Sequence, residues 1–123
     1  MKLLLDTHIF LWLINKDKQL KQEIIDIISN TDNEVFLSVV SVWECVIKYQ
    51  LGKLRLVEPP EIYLPRKRKE YIIQSLNVDE ESIKYLPTLP LLHKDPFDRL
   101  LICQSLQHQA KIITFDVSRK PSP

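Results

Sequence analysis

The chain has 123 residues, 45% apolar and 27% charged, a size and balance suited to one globular domain with a single core. Seventeen basic side chains against sixteen acidic ones leave a net charge of +1, so bulk charge neither demands nor excludes nucleic acid. One glycine, Gly52, excludes the Gly-rich loops that cradle nucleotide phosphates, and the two cysteines, Cys45 and Cys103, lie far apart in apolar runs, as buried reduced thiols do.

The first element is a short buried strand over 2–5, KLLL. Asp6 interrupts the run before it reaches the length of a signal peptide or membrane span, so a cytoplasmic protein is expected. Phe10, Leu11, Trp12 and Ile14 predict a helix over 8–15, and Leu20, Ile24, Ile25 and Ile28 recur at helical spacing. A polar turn over 30–34 leads to a second buried strand over 35–39, rich in branched and aromatic residues. A helix over 41–50 comes next, with Gly52 placed for a left-handed C-terminal cap.

Pro59, Pro60 and Pro65 punctuate the middle of the chain, after which helices are expected over 69–76 and 79–85. The clearest helix runs over 97–109, ahead of a strand over 111–115 and a frayed tail over 117–123. Helices alternating with short apolar runs predict an α/β fold with a parallel sheet covered on both faces, as one domain over 1–123.

In such a sheet the strand C-termini share one edge, and ligands bind there. Asp6 comes directly after the first strand and Asp116 after the last; Glu44 is expected in the first turn of the helix after the second strand, and Asp98 in the first turn of the helix near Pro96. Each acid also has a structural role open to it. Ser41 and Glu44 can form a capping box, Asp95 can cap a helix that Asp98 favours through its dipole, and Asp6 and Asp116 can cap the segments beyond their strands. Taken together the four pose a different problem, because two like charges ~5 Å apart repel by about 3 kcal/mol at an effective dielectric near 20. A cluster persists if it is protonated, hydrated or occupied by a cation, and carboxylates without a Cys or His cage suit Mg²⁺ or Mn²⁺. Such an ion activates water toward a phosphodiester.

The segments LLLDTHIFLW, SVVSVWECVIKYQLGKL, LPLLHKDPFDRLLICQSL and IITFD resemble, in order and over nearly the whole chain, the PIN-domain family and within it VapC-like toxins of toxin–antitoxin systems. The resemblance implies a three-layer α/β/α sandwich with a short, mainly parallel sheet and a Mg²⁺-dependent endoribonuclease, with Mn²⁺ as a substitute. It assigns the acidic site to Asp6, Glu44, Asp98 and Asp116, with Asp6 and Asp98 as the main metal ligands and Asp98 preferred to Asp95. Thr7 and Thr114 match supporting hydroxyl positions. The implied partners are an RNA substrate and a cognate antitoxin that blocks the site, with a homodimer expected and no membrane. Only seven residues come after Asp116, without the aromatic-containing segment often seen there.

His8 and His93 flank the site in sequence and are expected in supporting roles, while Arg99 either pairs with a carboxylate or faces solvent. Arg66, Lys67, Arg68 and Lys69 form the one dense basic run, read either as an RNA-tracking surface between Tyr63 and Tyr71 or as a solvated helix face. Lys48, Lys53 and Arg55 offer a weaker basic surface. Trp12 and Trp43 are expected in the core, with a homodimer or antitoxin groove as the other use for Trp12 and Tyr49. Two competing readings stand beside the nuclease. A phosphoaspartate enzyme of the haloacid dehalogenase type would carry a second Asp where His8 stands, and a PIN-like module that binds without cutting would have lost an acid.

Overall fold

Strand β1 (Lys2–Leu5) carries three consecutive leucines, and all three are fully buried. Such a run fits a strand with neighbours on both sides and helices on both faces. The computed structural model, which describes residues 1–90 and 95–114, supplies both. β1 pairs in parallel with β2 (Glu34–Ser38) on one side and β4 (Lys111–Ile113) on the other, while β2 pairs in parallel with β3 (Gln74–Leu76), giving the order β3-β2-β1-β4.

The two-residue period of the strands divides the core into two layers. Leu3, Leu5, Val35, Leu37 and Ile113 belong to one cluster, with α1 (Thr7–Asn15), α2 (Gln22–Ser29) and α4 (Pro60–Glu70) supplying Phe10, Ile28 and Leu64. Leu4, Phe36 and Ile112 belong to the other, where Leu101 of α6 (Pro96–His108) meets them. Helix α3 (Val39–Gln50) contributes to both, through Cys45 and Val40. This is the expected α/β/α sandwich. The short helix α5 (Glu80–Ile83) is tied to α6 by Asp79, whose carboxylate accepts from the Ser82 amide at 2.9 Å and from Gln107 Nε2 at 3.0 Å.

Three expectations need correction. The Ser38 hydroxyl accepts the Val40 amide at 3.0 Å, so α3 starts at Val39 and Glu44 is its sixth residue, beyond the first turn. Ser41 therefore does not cap the helix, and the capping-box account of Glu44 fails. The helix expected over 69–76 is displaced: α4 begins with Pro60 at the N1 position, accommodates Pro65 and stops at Glu70. Ile72 then takes a left-handed φ of 58° and the chain enters β3. The amides of Ile72 and Ile73 donate to Lys69 and Arg68 carbonyls, closing a Schellman motif without the glycine that would have announced it. Finally, Trp43 is 52% exposed rather than core, whereas Trp12 packs half-buried against the larger cluster.

Both cysteines are buried and free, as expected, and burial pushes the Cys45 thiol up to about 12, with the Glu44 charge adding to it. Among the described residues no helix is long and apolar enough to cross a membrane. The frayed tail, Asp116 and His93 lie outside the described residues.

At the end of α3, Gly52 has a φ of 72°, and the amides of Gly52 and Lys53 donate to Tyr49 and Lys48 at 3.1 and 2.8 Å. A Cβ there would meet nothing within 4 Å, so Gly52→Ala introduces backbone strain without a clash. Urea unfolding is expected to show a loss of about 1 kcal/mol, with the cooperativity of the transition unchanged.

Candidate active site

The chain builds the sheet outward from β1 through β2 to β3, then returns to place β4 on the far side of β1. The reversal of direction lies between β1 and β4, and the crevice at their C-terminal ends is where an open α/β sheet accepts a ligand. Asp6 stands there, its amide donating to the Ile113 carbonyl at 3.0 Å. Thr114 comes directly after β4 at the same edge. Asp6 occupies the N-cap position of α1, and its side chain makes no capping hydrogen bond. Burial raises its pKa above the usual carboxylate range; Glu44 adds to this, while His8 and the Thr7 and His8 amides oppose it.

Glu44 reaches the site from α3 and is held from both sides. Its Oε1 accepts from the Thr7 hydroxyl at 2.9 Å and its Oε2 from Lys48 Nζ at 2.6 Å. Thr7 Oγ1 also lies 2.8 Å from Ser41 Oγ. One hydroxyl hydrogen serves one acceptor, and an ionised carboxylate only accepts, so the chain runs from Ser41 through Thr7 to Glu44. Ser41 and Lys48 are members of the site that the sequence pattern alone placed elsewhere; the E-x-x-x-K spacing, one turn apart on α3, was the available signal for Lys48. The bond to Glu44 raises the Lys48 pKa.

Asp98 comes from the first turn of α6. Its carboxyl is pushed up to about 6, chiefly by burial and then by the negative charges of Asp95, Asp6 and Glu44, against which Lys48 acts. The fold therefore brings Asp6, Glu44 and Asp98, from distant parts of the chain, within electrostatic reach of one another. Asp95 has a separate task, since its Oδ1 accepts from the Phe97 and Asp98 amides at 2.9 and 3.4 Å and caps α6. Arg99 takes neither expected course exclusively: its guanidinium donates to the Pro90 and Leu86 carbonyls at 2.9 and 3.1 Å, anchoring the segment before α6.

The basic run lies on α4, whose C-terminal end feeds the start of β3 and so points away from the edge that carries the acids. Arg66 pairs with Glu58, Lys67 pairs with Glu70 at 3.1 Å, and Arg68 donates to the Ile73 carbonyl at 2.8 Å. Arg66 and Lys67 also sit 5.6 and 5.7 Å from the centre of the Tyr63 ring. Arg66 and Lys69 are the exposed members of the run.

The PIN domain family model matches residues 3–118. The chain belongs to the PIN-domain family. Among curated proteins, it is 38% identical over 53 residues to Ribonuclease VapC16 of Mycobacterium tuberculosis (strain ATCC 25618 / H37Rv); the match covers 43% of this chain and 38% of that protein. The chain thus matches well under half the length of this relative. Two solved structures share the fold at low identity. A VapBC2 structure from Rickettsia felis, bound to a DNA fragment from their promoter, has a TM-score of 0.70 at 18% identity, covering 96% of this chain and 90% of the other. A toxin–antitoxin complex from Klebsiella pneumoniae has a TM-score of 0.58 at 17% identity, covering 90% and 83%.

Among the described residues no three His, Cys, Asp or Glu side chains stand close enough to enclose a metal ion. The chemistry of Asp6 and Asp98 still fits a hard divalent cation, since both offer carboxylate oxygens that burial leaves short of stabilisation. An acid with a raised folded pKa holds its proton longer when folded, so stability falls as pH rises from about 4 to 6 and stays lost above it. In EDTA at pH 7, Asp98→Asn is therefore expected to raise Tm by roughly a few degrees. Mg²⁺ is expected to raise the Tm of the parent chain and leave the variant unmoved, read by differential scanning calorimetry.

Proposed function

We propose that the chain is a divalent-metal-dependent endoribonuclease of the VapC type, hydrolysing RNA phosphodiester bonds at the crevice beside β1. The observation that carries this reading is the gathering of Asp6 and Asp98 at one sheet edge, both raised by burial, with the charge of Asp6 adding to the shift at Asp98. The name Ribonuclease VapC16 of the 38%-identical relative supports the reaction class.

Asp6 and Asp98 would hold Mg²⁺, or Mn²⁺ in its place, and the family pattern adds Asp116. When bound, the ion supplies an activated water and offsets charge that builds on the phosphate. The rest falls to the chain. Thr7 and Lys48 fix the two oxygens of Glu44, so that this carboxylate acts as an oriented negative charge and proton acceptor beside the ligands. Ser41 sets the direction of the Thr7 hydroxyl. Thr114 supports the site from the β4 side. Lys69 is the member of the Arg66, Lys67, Arg68 and Lys69 run left to meet an RNA phosphate, the others being engaged by the chain itself.

The partners on this reading are an RNA, an antitoxin that covers the crevice, and a second copy of the chain. The antitoxin is supported by the toxin–antitoxin complexes among the structures that share this fold.

A mixed pool of single-stranded and structured RNA, incubated with Mg²⁺ or Mn²⁺, tests the reaction. Cleavage is expected with the parent chain, to vanish in EDTA, and to fall more than about 100-fold in Asp98→Asn. Metal-independent cutting, or equal cutting by the variant, would contradict the proposal.

A further inference from the structure

Trp43 immediately precedes Glu44 on α3, and Phe97 immediately precedes Asp98 on α6. Where the two acids act on one another, the two rings meet edge to face, with centroids 4.9 Å apart and planes inclined at 76°. The Trp43 side chain nevertheless stays 52% exposed, although Val40, Ser41, Glu44 and Cys45 around it are buried. The fold makes little use of an indole placed there.

We propose that Trp43 and Phe97 form a stacking platform for one nucleobase of single-stranded RNA next to the phosphate that is cut. The ligand class rests on the nuclease reading above. Charge favours a base at this spot. Asp6, Glu44, Asp95 and Asp98 surround the crevice, and the Lys48 ammonium is taken up by Glu44, so a polyanion needs a neutral anchor to stay there. Aromatic faces provide one for any base, and single-stranded RNA is commonly held in this way. Size favours it too. Two rings, one of them already packed, offer at most a few hundred Å², short of the roughly 800 Å² per partner of a stable protein interface, and matched to one base.

The test is binding in EDTA in an Asp98→Asn background, which removes cleavage and part of the acidic repulsion. A short oligoadenylate and an abasic ribose-phosphate oligomer of equal length are titrated while tryptophan fluorescence is monitored. Quenching by the oligoadenylate alone is expected, lost in Trp43→Phe, where Trp12 is the remaining tryptophan. Trp43→Ala is expected to weaken oligoadenylate binding roughly ten- to hundred-fold by anisotropy, with Trp43→Phe intermediate. Unchanged melting curves show that both variants fold.

Equal affinity for the abasic oligomer, unchanged affinity in Trp43→Ala, or conversion of a dimer to a monomer by Trp43→Ala in sedimentation would overturn the platform. In the last case the pair belongs to a protein interface. Because no metal is present, a chain that cuts RNA but shows no base-dependent quenching refutes the platform and leaves the nuclease standing. Quenching by a chain that never cuts supports base stacking on Trp43 but refutes the nuclease, and with it a place beside a cut phosphate.

Discussion

Carboxylates gathered at the open end of a parallel sheet repel one another, and about 3 kcal/mol for each close pair is large beside the roughly 5–15 kcal/mol by which a domain is stable. The chain answers that repulsion unevenly. At Glu44 it is met from within, by a hydroxyl on one oxygen and an ammonium on the other. At Asp6 and Asp98 it is met only in part, by His8 and the Thr7 and His8 amides at the one and by Lys48 at the other, and burial with the charge of neighbouring acids holds both carboxyls above their ordinary range. On the proposed reading, that contrast divides the acids into one fixed by the protein and two that would take up an external cation.

The fold makes the arrangement possible by rigidity rather than by local sequence. β1 is clamped between β2 and β4, and its leucines are shared between the two core layers, so the position of Asp6 is set by strand pairing. Asp95 starts α6 by capping it, which places Asp98 in the first turn. The Arg99 guanidinium then ties that helix start to the Pro90 and Leu86 carbonyls. Strain, where it occurs, lies elsewhere, as at Ile72 on the far side of α4.

The parallel sandwich was legible because its strands are short apolar runs and its helices carry apolar residues at helical spacing. The edge that gathers Asp6 and Asp98 was legible from topology, since each acid sits just after a strand or at a helix start. The features that stayed hidden had no local signature. β3 is three residues long and two of them are exposed, so no periodicity marks it. The left-handed turn at Ile72 lacks a glycine, whereas the one at Gly52 was announced by its residue. S-x-x-E at Ser41 reads equally as a capping pattern, and only the hydroxyl of Ser38, three residues earlier, shows where the helix begins. The exposure of Trp43 is likewise a tertiary fact, set by where α3 crosses α6.

The central claim is that Asp6 and Asp98 together hold a divalent ion at the crevice beside β1. Anomalous diffraction from crystals soaked in Mn²⁺ tests it most directly. The account predicts one strong peak in the crevice where Asp6 and Asp98 would hold the ion. A manganese peak elsewhere, or none there at a concentration that supports cleavage, would contradict it.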